Sequence, residues 1–145
     1  MISQVKIRLG KFLRAVVIYY YKMMGVAIGE GVFISHKAKI DTTYRGSVEI
    51  GDGDYITFGA IVLAHDHSVY THVPFEKDDG GGKVVLCKNV FVGAGAIILR
   101  NVKIGDNSIV AAGAVVTKDI LENVIVSGNP AKIVKAFKMI TKKKL

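Results

Sequence analysis

Four histidines are the side chains of this sequence best suited to moving a proton near neutral pH, because an imidazole has an ordinary pKa of about 6.5. They are His36, His65, His67 and His72. A single histidine in a loop is most often only a solvated side chain. Residue type alone therefore leaves the four histidines equal as candidates for a general base.

The cationic side chains are a second chemical feature, and they concentrate at the two ends of the chain. The formal net charge is +8, five basic residues precede the first acidic residue, Glu30, and six lysines follow the last one, Glu122. Such a distribution favours an anionic ligand or an anionic surface. No nucleic-acid partner is expected, since the basic residues are not interleaved with an aromatic or helix-turn-helix pattern.

The single cysteine and the apolar segments bear on where the protein works. Cys87 cannot form an internal disulfide, which agrees with a reducing compartment. The uncharged apolar run Ala15–Tyr21 is far shorter than the roughly 20 residues that span a bilayer. Lys22 closes that run and no small-residue cleavage site follows. We expect a cytoplasmic protein with one domain, residues 1–145.

A six-residue repeat predicts the elements that position these side chains. Every sixth residue is aliphatic in three consecutive segments, namely Ile28, Ile34 and Ile40, then Ile50, Ile56 and Val62, then Leu86, Val92, Ile98, Ile104, Val110 and Val116. This period fits neither an α-helix nor a long strand. It is typical of short strands joined by tight turns, with three strands per coil of about eighteen residues. Residues 26–128 are therefore predicted to form an all-β prism of about four triangular coils.

The interruptions of the repeat fall at one place in the count of faces. Gaps follow Ile40, Val62 and Val116, and each of these residues closes a third face. All insertions are therefore expected at one corner of the prism. The longest, about residues 65–83, ends in a polar, glycine-rich stretch and is predicted to be a projecting loop that carries binding groups.

Both ends of the chain have helical patterns. Residues 1–25 place an apolar stripe on one side of a helix, made of Val5, Leu9, Phe12, Val16, Tyr20 and Met23. In residues 129–145, Asn129 is suited to cap a helix that Pro130 begins, followed by Ile133, Phe137 and Ile140 at helical spacing. We expect each helix to cover an open end of the prism. Peripheral membrane contact through the N-terminal helix is the alternative.

One segment of the sequence resembles a known family. The stretch from Ile104 to Lys135, IGDNSIVAAGAVVTKDILENVIVSGNPAKIVK, resembles the closing segment of hexapeptide-repeat acyltransferases of the maltose, galactoside and polysaccharide O-acetyltransferase type. The resemblance extends over the repeats from about Ile28. It implies a left-handed parallel β-helix that transfers an acetyl group from acetyl-CoA to a small, sugar-like acceptor or polysaccharide precursor, without a metal.

The resemblance also implies which residues do the chemistry. The family's catalytic histidine lies where the chain leaves the central coils, and the segment AHDH, Ala64–His67, occupies that place. His65 is the implied general base, with His67 as the second candidate. Direct transfer is expected, because Cys87 follows the core residue Leu86 and lacks an evident activating group for an acyl-enzyme.

The cofactor and the assembly follow from the same resemblance. The residues implied for acetyl-CoA are Thr117 and Lys118 at the pantetheine and nucleotide end, backbone groups of Ala94 and Ala112 along the arm, and Lys132 and Lys135 at the phosphates. The family resemblance also implies a homotrimer with active sites between subunits. The acceptor is not implied, because Asp41–Glu49 and the loop Thr71–Gly82 do not match the residues with which the sugar acetyltransferases hold their substrates.

Two other classes of function remain open at this point. A zinc carbonic anhydrase has the same kind of β-helix, and the spacing of His67 and His72 resembles that of its paired ligands. Such a site needs three histidines, and the repeats from Leu86 onward contain none. The other class is a non-catalytic β-helix scaffold with basic ends.

Overall fold

A computed structural model describes residues 2–68 and 80–138, with side chains from residue 8 onward. Within these residues the chain forms one helix and fourteen short strands. They are α1 (Ile2–Met23), β1 (Ala27–Ile28), β2 (Phe33–Ile34), β3 (Lys39–Ile40), β4 (Val48–Ile50), β5 (Tyr55–Ile56), β6 (Ile61–Val62), β7 (Val84–Leu86), β8 (Phe91–Val92), β9 (Ile97–Ile98), β10 (Val102–Ile104), β11 (Ile109–Val110), β12 (Val115–Val116), β13 (Val124–Ser127) and β14 (Lys132–Ala136).

The strands form three sheets that make up the faces of a prism. Sheet A contains β1, β4, β7 and β10; sheet B contains β2, β5, β8, β11, β13 and β14; sheet C contains β3, β6, β9 and β12. All pairs are parallel except β13 with β14. We name the edges of the prism by the sheets they join: the AB, BC and CA corners. The predicted left-handed parallel β-helix is confirmed.

The repeat places its aliphatic residues inside the prism. In sheet B, for example, Ile34, Ile56, Val92, Val110 and Val126 stand in one register and each has almost no exposed surface. Burying a side chain of this size stabilises the fold by about 1.5 to 3 kcal/mol. The inner side of each sheet carries a stack of such aliphatic side chains. The strands, although only two to five residues long, are therefore stabilised mainly by the core of the prism.

The tight turns of the AB corner depend on glycine at one position and on asparagine at three others. A Cβ atom on Gly51 would collide with the carbonyl of Cys87 in the next coil, so only glycine fits there. Asn89, Asn107 and Asn123 adopt positive φ angles of 55° to 58°. Their side-chain amides are hydrogen-bonded in a ladder, 3.2 Å from Asn89 to Asn107 and 3.1 Å from Asn107 to Asn123.

Two of the three expected insertions leave the prism at the CA corner, after Ile40 and after Val62. The third was predicted after Val116 and is wrong. Ile120 bridges to Ile104 on sheet A, and Val126 pairs with Val110 on sheet B. The connection after Val116 is therefore shortened rather than extended. The six-residue count passed over Ile120, which follows Val116 by only four residues and yet takes the next position in sheet A.

The predicted C-terminal helix over residues 129–145 is wrong where the structure describes it. Lys132–Ala136 forms strand β14, which runs antiparallel to β13. The last parallel strand of a prism has unpaired backbone N–H and C=O groups along its outer edge, and a returning strand satisfies them. The β-branched Ile133 and Val134 suit that strand. Residues 139–145, including Ile140, lie outside the described residues.

Helix α1 confirms the N-terminal helix, but a different side of it packs on the prism. Val17, Ile18 and Tyr21 contact the core, and the Tyr21 hydroxyl donates to the carbonyl of Ala38 and accepts from the N–H of Ile40. The side predicted to cover the prism is exposed instead, as Leu9, Phe12, Val16, Tyr20 and Met23 demonstrate. None of the described helical residues supplies a segment with the length and hydropathy needed to cross a membrane.

Candidate active site

His65 lies at the CA corner, three residues after the end of strand β6. Strand β6 ends at Val62, Ala64 is buried, and His65 forms an isolated antiparallel bridge with Gly81. Arg100 donates to the carbonyl of Gly81 at 3.1 Å, and so ties the loop to the next coil. The backbone that carries the histidine is therefore anchored to the prism through Gly81 and Arg100.

Asp41 is the partner of His65. It follows strand β3 directly, and its Oδ2 accepts a hydrogen bond from Nδ1 of His65 at 2.5 Å. Oδ2 also accepts from the N–H of Ala64 at 2.8 Å, and Oδ1 accepts from the N–H of Thr43 at 2.9 Å. The side chain of Asp41 is 3% exposed and that of His65 is 30% exposed. The carboxylate is thus buried behind a ring that solvent reaches.

The surroundings keep Asp41 ionised. Burial alone would raise its pKa, but hydrogen bonds from Thr43, His65 and Ala64 outweigh burial and lower the pKa to about 2. An ionised carboxylate can only accept hydrogen bonds, so the proton of the contact belongs to Nδ1 of His65. In the neutral ring, Nε2 then has the free lone pair. This is the arrangement that a general base requires.

The other histidines are placed differently. His67 is exposed, with its ring centroid 5.2 Å from that of His65, and His36 is exposed in the turn after β2. His72, the other histidine considered as a zinc ligand, lies outside the described residues. Among residues 8–68 and 80–138, no three His, Cys, Asp or Glu side chains are grouped so that they could hold a metal ion.

A shallow groove opens beside His65 on the outer side of sheet C. It lies between the segment after β3 and strand β6, and its lining includes Lys39, Asp41, Thr43, Ile61 and His65. The groove places an apolar wall and a cationic side chain on the same surface as the histidine. A small polar molecule could contact His65 from this side.

The residues predicted to bind the cofactor lie in three places. Thr117 and Lys118 are exposed at the CA corner after β12, the corner that also carries His65. Ala94 and Ala112 are at the BC corner, on the opposite edge of sheet C, where the Ala94 carbonyl accepts from the N–H of Gly113 at 2.9 Å. A ligand that touches both sets must cross the outer face of sheet C.

The two terminal lysines of the predicted cofactor site lie on another face. Lys132 and Lys135 are exposed in β14, where they pair with Ser127 and Ile125 of β13 in sheet B. The segment that leads into β14 passes beside β12, where the N–H of Ala131 donates to the carbonyl of Val115 at 2.8 Å. Their assignment to the cofactor phosphates stays a prediction.

Cys87 is not arranged as a nucleophile. Burial raises the pKa of its thiol, with the neighbouring charge of Lys103 opposing that shift and the charges of Asp106 and Asp54 adding to it. A thiol with a raised pKa is less ionised at neutral pH, and only the thiolate attacks. The raised pKa of the thiol does not favour an acyl-enzyme on Cys87, and direct transfer stays a prediction.

Comparison with known proteins identifies the family. The family model for bacterial transferase hexapeptide (six repeats) matches residues 83–118. A galactoside O-acetyltransferase of Lactococcus lactis is 34% identical over 111 residues, which cover 74% of this chain and 51% of the relative. A 2,3,4,5-tetrahydropyridine-2,6-dicarboxylate N-acetyltransferase of Clostridium perfringens is 52% identical over 56 residues, 39% of this chain and 24% of the relative.

The solved structures agree. A hexapeptide-repeat-containing acetyltransferase of Vibrio cholerae, crystallised with acetyl coenzyme A, superposes with a TM-score of 0.70 at 26% identity, over 79% of this chain and 62% of that one. The chain belongs to the hexapeptide-repeat acyltransferase family. It spans only part of the length of these relatives, 51% of the galactoside enzyme and 62% of the Vibrio protein.

Asp41 is the site residue that the sequence did not reveal. It stands 24 residues before His65, and the two meet only because the CA corners of successive coils are stacked. A usable signal did exist: Asp41 directly follows Ile40, the third-face residue of its coil, and His65 comes shortly after the equivalent Val62. Aligning the coils by their third faces would have placed the two side chains on one corner.

Proposed function

We propose that this chain transfers the acetyl group of acetyl-CoA to a hydroxyl of a small, sugar-like acceptor, with His65 as the general base and Asp41 as the residue that positions it. The observation that carries the proposal is the hydrogen bond from Nδ1 of His65 to the ionised, buried carboxylate of Asp41. It leaves Nε2 as the basic atom of a ring that is 30% exposed. That the acyl donor is acetyl-CoA is inferred from membership of the family.

The reaction follows from that tautomer. Nε2 of His65 takes the proton of the acceptor hydroxyl while the hydroxyl oxygen attacks the thioester carbonyl carbon. The carbon–sulfur bond then breaks, and the imidazolium returns the proton to the departing thiolate. Between these steps the ring is positively charged, and the negative charge of Asp41 stabilises it. Asp41 itself stays unprotonated throughout, because its pKa is about 2.

Acetyl-CoA would be held by two kinds of group. Its phosphates call for cationic side chains, which Lys118, Lys132 and Lys135 offer, and its amide-bearing arm calls for backbone donors and acceptors. Backbone groups of the turns at Ala94 and Ala112 and of the residues after β12 at Thr117 are proposed to contact the arm. We place the reaction in the cytoplasm and require no metal, since the carboxylate–histidine pair supplies the base.

A homotrimer is part of the proposal. The groove beside His65 is shallow, so one chain by itself encloses little of a ligand. A neighbouring prism packed along sheet C would close the groove and cover the half-buried Ile61, Ile97 and Val115 on its outer face. Analytical ultracentrifugation tests this, with a trimer mass expected and a monomer mass contradicting it.

Titration calorimetry tests donor binding. We expect saturable binding of acetyl-CoA to the isolated protein, unchanged after treatment with a chelator. Absence of binding at millimolar ligand, or binding lost with the metal, would contradict the proposal. A screen of acetyl-CoA consumption against free sugars, nucleotide sugars and amino sugars then identifies the acceptor, and consumption with amines alone would overturn the hydroxyl assignment.

The terminal lysines allow a sharper test of the cofactor site. Replacing Lys132 and Lys135 with Ala is expected to weaken CoA more than dephospho-CoA, by about 1 to 3 kcal/mol per lost phosphate contact. Lys88→Ala with Lys103→Ala is a charge-matched control near the AB corner and should leave both ligands unchanged. Equal weakening of CoA and dephospho-CoA by the first pair would place Lys132 and Lys135 away from the 3′-phosphate.

A further inference from the structure

Helix α1 presents a broad apolar surface to solvent. We call it the outer stripe, and it comprises Leu9, Phe12, Leu13, Val16, Tyr19, Tyr20 and Met23. These residues are between 45% and 65% exposed. At about 100° of rotation per residue they share one side of the helix, roughly a third of its circumference.

The prism does not use this surface. The helix packs on the first coil through Val17, Ile18 and Tyr21, which lie on the other side, and Arg14 stacks over the ring of Phe33 at 5.1 Å from its centroid. The helix is therefore docked without its most apolar side. Large exposed apolar patches on a folded protein mark an interaction surface.

The charges beside the outer stripe have one sign. Arg8, Lys11 and Lys22 are exposed and border the stripe on one side, and no acidic residue occurs before Glu30. A helix with an apolar side that includes aromatic residues and a basic border is suited to the boundary between lipid headgroups and acyl chains. The helix of a second copy has the same cations and no acidic residue to pair with them, whereas an anionic lipid surface is complementary to them, which favours the lipid over the copy.

We propose that α1 binds the surface of an anionic phospholipid bilayer, lying along it with the outer stripe inserted among the lipids and Arg8, Lys11 and Lys22 at the headgroups. The docking of α1 links this surface to the candidate site. Tyr21 is hydrogen-bonded to Ala38 and Ile40, and Ile40 immediately precedes Asp41. The bilayer thus holds the first coil of the prism, next to the Asp41–His65 pair, near the membrane surface.

Vesicle flotation with the full chain tests the proposal. The probes are vesicles of phosphatidylcholine alone and vesicles in which about a quarter of the lipid is phosphatidylglycerol, since each cation near an anionic surface strengthens binding about fivefold. Wild-type protein is expected to float with the anionic vesicles, to bind neutral ones at least about tenfold more weakly, and to be released by salt.

Two variants and two controls separate the contributions. The stripe variant Leu9→Gln, Val16→Gln, Met23→Gln should lose flotation, and the charge variant Arg8→Gln, Lys11→Gln, Lys22→Gln should lose the preference for anionic lipid. Leu121→Gln, at an exposed leucine on the prism, is the apolar control, and Lys37→Gln, Lys88→Gln, Lys103→Gln is the charge control. Both controls should float like wild type, and circular dichroism should verify that every variant is folded.

Several outcomes would overturn the proposal. Wild-type protein that stays with neither vesicle, or a folded stripe variant that floats like wild type, excludes the bilayer as the partner of α1. Equal binding to neutral and anionic vesicles excludes the role of the cations. Loss of an oligomer in the stripe variant, together with no flotation of wild type, would assign the outer stripe to a second copy of the chain.

Discussion

At the CA corner the carboxylate of Asp41 faces a histidine ring and stays ionised, whereas at the AB corner the carboxyl of Asp54 lies inside the prism. Burial raises the pKa of Asp54 to about 7, and hydrogen bonds from the N–H groups of Val90 and Gly51 only partly oppose that shift. The two residues have the same side chain. Their different pKa values come from what surrounds them, hydrogen bonds from Thr43, His65 and Ala64 in one case and burial in the aliphatic core in the other.

The chain path explains why the corners differ. The AB turns are short and stacked, so their polar groups are used up by neighbouring coils, as in the ladder of Asn89, Asn107 and Asn123. The CA corner accommodates both insertions, and there a side chain such as His65 keeps an atom free for chemistry. The regular turns use their polar groups in contacts between coils, and the irregular corner carries the groups that we propose to be reactive.

The largest effect on this comparison is expected from Asp41→Asn. The amide cannot hold the Nδ1 proton as a carboxylate does and does not stabilise the imidazolium, so turnover should fall by about 10² to 10³. Affinity for acetyl-CoA should change little. The matched control is Asp52→Asn at the AB corner, an exposed carboxylate that accepts from the N–H of Glu30. Turnover is measured by steady-state kinetics. An equal loss of turnover in both variants would contradict a special role for the carboxylate at the CA corner.

Asp54→Asn should affect stability instead of chemistry. One carboxyl oxygen is replaced by an amide that faces a backbone N–H, which costs about 1 to 3 kcal/mol of unfolding free energy. Turnover per folded molecule should stay near the wild-type value. Urea denaturation with activity measured on the same samples checks both, and a folded variant without activity would connect Asp54 to the site.

The pH dependence of stability gives Asp54 a signature opposite to that of Asp41. A raised folded-state pKa contributes stability that is present below the ordinary value of 3.8 and is lost as pH rises through about 7. The lowered pKa of Asp41 contributes stability that is present above 3.8 and is lost as pH falls through about 2. Of these two contributions, only that of Asp54 changes between about pH 5 and pH 8. The difference in unfolding free energy between wild type and Asp54→Asn should therefore narrow as pH rises. A constant gap would contradict the raised pKa.

The smallest effect is expected in the amide ladder of the AB corner. Asn107→Gly removes two side-chain hydrogen bonds but suits the φ angle of 58°, whereas Asn107→Ala removes the bonds and strains the backbone. The alanine variant should therefore be less stable than the glycine variant by about 1 kcal/mol. Thermal unfolding that ranks the two in the reverse order would refute the role of the positive φ angle.

The sequence predicts the prism well because its core is periodic and each rung repeats the same local choice. It fails where the period breaks. Ile120 takes its place in sheet A after only four residues instead of the usual six. Strand β14 forms because the outer edge of β13 has backbone groups without a partner in the parallel stack, and no pattern within Lys132–Ala136 reveals that edge. The exposed side of α1 was misassigned since amphipathicity defines an apolar side but not its partner.

For the candidate site, the sequence reached His65 only through the resemblance to a family, and its role as the base stays a prediction. Its contact with Asp41 depends on the register between coils, which a length-variable corner obscures. The residues predicted to contact the pantetheine, the arm and the phosphates of acetyl-CoA lie at two corners and on sheet B. Their role in binding acetyl-CoA stays a prediction.

The most direct test of the account compares turnover in His65→Ala and His67→Ala. His65→Ala should lose turnover by about 10² to 10⁴ with acetyl-CoA affinity and assembly unchanged, since it removes only the base bonded to Asp41. His67→Ala should retain most of the activity. Wild-type turnover in His65→Ala, alongside a folded and inactive His67→Ala, would transfer the catalytic role to His67 and contradict the Asp41–His65 site.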